Sequence, residues 1–158
     1  MAEVLTKVRL RFSKQGLSRS RSGTLYGRVY FEVDGEPFPE RDWSDLLVAF
    51  AASWLETLVQ IASLEINKDR APFFDGPLAV DIFRRSDGLA SLNFIHKDLV
   101  KHTATARVED LLRDAISVSR SILTMCRSHN WSSDRDTQQL QVMVRRGKEV
   151  LTLLGPRA

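Results

Sequence analysis

The chain has 158 residues, 43% apolar and 27% charged, with 23 Lys and Arg set against 20 Asp and Glu for a net charge of +3. These are ordinary globular values that exclude a low-complexity or disordered chain, and the basic residues are spread along the sequence rather than gathered as in a nucleic-acid domain. The length suits one domain over residues 1–158.

Neither a signal-peptide core nor a run of about 20 apolar residues is present, so the sequence predicts a cytoplasmic protein that does not enter a membrane. Cys126 is the only cysteine, which excludes an internal disulfide and a cysteine-based zinc site. Its place in a helical apolar pattern predicts a buried core thiol.

From the start, Val4, Thr6, Val8, Leu10 and Phe12 alternate with Lys7, Arg9 and Arg11, the period of a half-buried strand. Residues 14–23, rich in Ser, Gly and Arg, read as a long connection. A second strand follows, with Leu25, Gly27, Val29, Phe31 and Val33 on one face and Tyr26, Arg28, Tyr30 and Glu32 on the other, ending at Asp34-Gly35. Asp42 or Ser44 then caps a helix whose Trp43, Leu46, Leu47, Phe50, Trp54, Leu58 and Ile61 recur three and four apart.

Residues 67–76 read as a loop, and a second hairpin follows in which Leu78, Val80 and Ile82 face Ala90, Leu92 and Phe94 across Ser86-Asp87-Gly88. Residues 102–106 read as a short edge strand. Two helices close the chain: one carries Val108, Leu111, Leu112, Ala115, Ser119, Ile122 and Cys126. The other carries Leu140, Met143, Gly147, Val150 and Leu154, with Gly147 placed to let two helices approach. The predicted class is α+β: an antiparallel sheet of four to five strands, order ββαββ(β)αα, with the helices packed on one face.

No phosphate-binding loop or dinucleotide fingerprint is present, which predicts no cofactor. His96, His102 and His129 lack metal-ligand spacing, which predicts no metal site. His96 and His102, beside Asp75 or Asp81, could serve an acid–base site; surface loop histidines are the simpler expectation. The run Ser18-Arg19-Ser20-Arg21-Ser22 is either a solvated loop, a protein contact or a weak single-stranded nucleic-acid site with Arg28 and Tyr30. The expected partner-binding residues are Arg19, Arg21, Tyr26, Arg28, Tyr30 and Phe73, the Tyr, Arg and Phe types that dominate interfaces, and no catalytic residue is assigned.

The run Phe38-Pro39-Glu40-Arg41-Asp42-Trp43-Ser44-Asp45, entered from an extended strand and leading into an aromatic helix, resembles small bacterial proteins with an FPxxxWxD strand-to-helix motif. Phe74-Asp75-Gly76-Pro77, the following hairpin and the closing helices fit the same layout. The resemblance points to immunity proteins of polymorphic or contact-dependent toxin systems. It implies a protein partner, a cognate toxin domain blocked by occlusion, and carries over no particular binding residue.

Overall fold

The computed structural model describes residues 4–155 and has the α+β class that the patterning predicts. Its strands form two four-stranded antiparallel sheets rather than one sheet of four to five. Sheet A contains β1 (Val8–Arg19), β2 (Leu25–Val33), β3 (Glu36–Phe38) and β4 (Ser44–Asp45), with β2 central. After α1 (Leu47–Ala62), sheet B runs in simple order through β5 (Lys68–Pro72), β6 (Leu78–Arg84), β7 (Leu89–His96) and β8 (Leu99–Arg107). Helices α2 (Val108–Ser128) and α3 (Arg135–Leu154) complete the chain.

The segment 14–23 is not a long connection. Strand β1 continues through it, with an irregularity between Ser13 and Ser18 that Gly16 enters at φ 74°. Only residues 20–24 turn, closed by Ser20 N–H to the Thr24 carbonyl at 2.9 Å and Thr24 N–H to Ser20 Oγ at 3.0 Å. Asp34-Gly35 is a hairpin turn, both residues at positive φ, that brings β3 back onto β2. Residues 68–72, read as loop, form the outer strand of sheet B, and the expected edge strand at 102–106 is nine residues long.

The two sheets share one core. Phe31 of β2 meets Phe50 and Trp54 of α1 edge-on at 5.9 and 5.2 Å, and Phe94 of β7 at 5.5 Å. Edge-to-face rings each add about 1 kcal/mol beyond the apolar area they bury. The N-terminal segment joins the sheets at their edges, with Thr6 N–H bonded to the Thr105 carbonyl at 2.7 Å.

Helix α1 carries Glu56 as its only charged residue and is buried on most of its circumference, between the sheets and the other two helices. Gly147 of α3 lies where α1 and α2 converge: a Cβ there would stand 3.2 Å from Ile116 and 3.5 Å from Leu55. All three helices therefore lie on the inner side of the sheets. The outer faces, with Arg9, Arg11 and Arg28 on sheet A and Lys68, Arg70 and Thr103 on sheet B, are exposed.

Candidate functional site

Pairing of β1 with β2 sets outward-facing residues beside one another: Arg9 opposite Glu32, Arg11 opposite Tyr30, Ser13 opposite Arg28 and Ser18 opposite Tyr26. Strand alternation places these on one face, and Lys7 precedes them in the same phase. Arg11 forms an ion pair with Glu32, which raises the guanidinium's pKa and holds the Glu32 carboxyl below its usual range. Arg28 lies across the Gly16 irregularity and donates from Nη1 to the Asp42 carbonyl at 3.2 Å. Arg41 sits over the Tyr30 ring, 5.9 Å from its centroid, and donates to the Tyr30 hydroxyl at 3.4 Å. Lys7, Arg9, Arg11, Arg28 and Arg41 are all exposed, and the face is predominantly cationic.

Two of the six expected partner-binding residues are not available to a partner. Tyr30 is only 8% exposed, covered by Arg41. Phe73 is 4% exposed and stacks on Phe50 at 4.4 Å in the core. Arg19 is partly exposed but committed: its Nε and Nη2 each donate to the Asp134 carboxylate at 2.9 Å, tying the β1–β2 turn to the start of α3. This pair raises the Arg19 pKa and lowers that of Asp134. Arg21 and Arg28 are exposed, and Tyr26 is 42% exposed.

The residue overlooked in the sequence is Phe74, which is 50% exposed. It joins Tyr26 in lining a cleft of about 360 Å³ floored by Ser44, Asp45 and Leu46. The fold thus puts an aromatic pair at one end of the cationic face. Phe73 and Phe74 both follow the end of β5 in the turn toward β6, and which of the two is buried is set by the fold and not by a sequence period.

Asp45 explains the Trp-x-Asp spacing. The side chain is 2% exposed and accepts the Trp43 indole N–H at 3.1 Å, the Leu46 amide at 2.7 Å and the Asp75 amide at 3.3 Å. One carboxylate therefore links β4, the start of α1 and the loop before β6.

His96 and His102, expected on a surface connection, are half-buried and line one cavity of about 330 Å³ together with Glu40 and Lys101. Asp75 and Asp81 do not line it. His129 lies elsewhere, stacked on Trp131 at 4.5 Å. The described residues contain no group of three or more His, Cys, Asp or Glu able to hold a metal ion. Cys126 is buried, and burial raises its pKa. No helix among the described residues is long and apolar enough to cross a membrane.

Comparison of the chain with protein-family models, with curated proteins and with solved structures finds no match.

Proposed function

We propose that this chain is a protein-binding module, not an enzyme, and that it docks an acidic partner on the outer face of sheet A. The observation that carries the reading is the exposed Tyr26–Phe74 pair at the end of the cationic row of Arg9, Arg11, Arg28 and Arg41. Exposed aromatics and arginines supply most of the binding energy at protein interfaces, while a single-sign field steers an oppositely charged partner. Combined with the resemblance of the 38–45 run to immunity proteins, the proposed partner is a toxin domain whose active site is covered on binding.

Co-expression with the C-terminal domain of a large secreted protein encoded beside this chain tests the reading. The expected result is a stoichiometric complex and rescue of growth. The combined Arg9→Glu and Arg28→Glu variant should weaken the complex by tenfold or more, and raising salt from about 0.05 to 0.5 M should weaken the wild-type complex, because exposed charges are screened beyond a Debye length. Failure to form a complex removes the immunity reading; a complex indifferent to both reversals removes the sheet A surface.

The same cations beside exposed aromatics also suit single-stranded nucleic acid. That alternative loses Tyr30 to burial and Arg19 to Asp134. A titration with single-stranded RNA at the same two salt concentrations separates it: binding tighter than that of the protein partner would favour nucleic acid.

A further inference from the structure

We propose that the cavity between β3 and the β7–β8 hairpin is a binding site for a small aromatic carboxylate. Two runs that the sequence presents as structural punctuation, Phe38-Pro39-Glu40 with Trp43 and the Gly76-Pro77 corner, converge on it from different sheets. The Trp43 indole N–H is bonded to Asp45, and its six-membered ring lies beside Gly76, where an added Cβ would stand 3.5 Å away. The half-buried indole, with Pro39, Pro77 and the buried Phe38 and Leu78, makes the apolar part of the lining.

Polar groups are interleaved with these apolar ones, with His96 opposite Leu78 in the β6–β7 ladder. His102 faces Phe94 across the β7–β8 ladder and packs edge-on against Phe38 at 6.2 Å, and His96 lies two residues further along β7 on the same strand face. With Lys101 they line the same 330 Å³ space, a volume within the range of small-molecule sites. An imidazole offers at least one N–H donor in either protonation state, and Lys101 adds three. Glu40 is the only carboxylate in the lining, so donors outnumber acceptors and a single anionic group is favoured. The same carboxylate disfavours ligands of high negative charge such as phosphates and nucleotides. Apolar rings with N–H donors set among them in one small cavity suit a flat ring bearing one carboxylate.

An amide-resolved NMR titration of the full chain with benzoate, benzamide and inorganic phosphate tests the site. Benzoate should shift resonances of residues 38–43, 76–78 and 96–102, with benzamide at least tenfold weaker and phosphate without effect there. The double variant His96→Leu and His102→Leu, which removes the imidazole N–H donors, should weaken benzoate roughly tenfold or more, as expected for lost charge-assisted hydrogen bonds, and weaken benzamide less. If the double variant fails to fold, Lys101→Met, at an exposed position, should weaken benzoate in the same selective way. Benzoate and benzamide binding equally, shifts centred outside these segments, or benzoate binding indifferent to the variants would each overturn the proposal.

Discussion

A single carboxylate or a single missing side chain decides several features of this molecule. Replacing Asp45 with Ala leaves the Trp43 indole N–H and the Leu46 and Asp75 amides without their acceptor at part-buried positions beside the Tyr26–Phe74 cleft. A buried donor left unsatisfied costs about 1–3 kcal/mol, and partial access of water from the cleft keeps each of these three near the low end, so Asp45→Ala should lose about 3 kcal/mol and lower the melting temperature by roughly 10 °C. Calorimetry checks this, and an unchanged transition would mean that the carboxylate is dispensable. At Gly27 the limit is space: an added Cβ would stand 2.9 Å from Leu47 Cδ2 and 3.1 Å from Leu47 Cβ. Gly27→Ala should therefore destabilise by about 1–3 kcal/mol in denaturant unfolding, where strand propensity alone would predict a gain. The Trp-x-Asp spacing was legible as a motif, but its hydrogen bonds were not, because Asp75 reaches Asp45 from thirty residues away.

At the level of elements, the free edge of β1 is closed by a helix. Asp114 of α2 accepts the Leu10 N–H at 2.8 Å in a half-buried position, and burial pushes its carboxyl pKa up against the opposing pull of that bond, Arg9 and Arg11. A raised carboxyl pKa means the folded state binds the proton more tightly, a contribution present at low pH and lost as pH rises through the folded value. Glu32 and Asp134 have the opposite sign: lowered by Arg11 and Arg19, they favour folding above the ordinary carboxylate range and lose this as pH falls. Asp114→Asn, which keeps an acceptor for Leu10, should melt at an equal or higher temperature than wild type at pH 7, with the difference shrinking toward pH 3. A variant clearly less stable at pH 7 would show that the charge–amide bond outweighs desolvation.

The three helices and the alternating strands were readable from period, although α1 starts only at Leu47 with Leu46, not Asp42 or Ser44, at its cap. Four strand segments were not, one of them β4 at Ser44–Asp45, which lies where the helix start was expected. Beyond Ser13, β1 carries Gly, Ser and Arg, whose turn chemistry masks a strand that pairs only by slipping register. Strand β3 is three residues with a central proline, and β5 mixes charge with proline and places Asp69 inward to accept the Thr57 hydroxyl at 2.8 Å. The β7–β8 turn uses Lys97 and Asp98 at φ 51° and 64°, a pair outside the usual Asn-Gly signal.

Across the whole molecule, the placement of all three helices on the inner side leaves two sheet faces exposed, and they differ in charge pattern. On sheet B the cation Arg70 is answered directly by Asp81, with bonds of 2.7 and 2.9 Å, beside Asn93 and Thr103. On sheet A, Arg9, Arg11, Arg28 and Arg41 face Glu32 and end at Tyr26 and Phe74. The basic strand face was visible in the alternation of the first twelve residues, but Arg41 and Phe74 join it only through folding, each from a loop. The comparison of faces supplies its own control. With the co-expressed toxin domain as partner, calorimetric titration of the double variant Tyr26→Ala and Phe74→Ala should show affinity reduced a hundredfold or more, since two interface anchors are lost at about 2 kcal/mol each. The matched sheet B variant, Phe83→Ala with Asn93→Ala, should bind as wild type does. Unchanged affinity in the sheet A variant, or an equal loss in the sheet B variant, would contradict the proposed role of the Tyr26–Phe74 face.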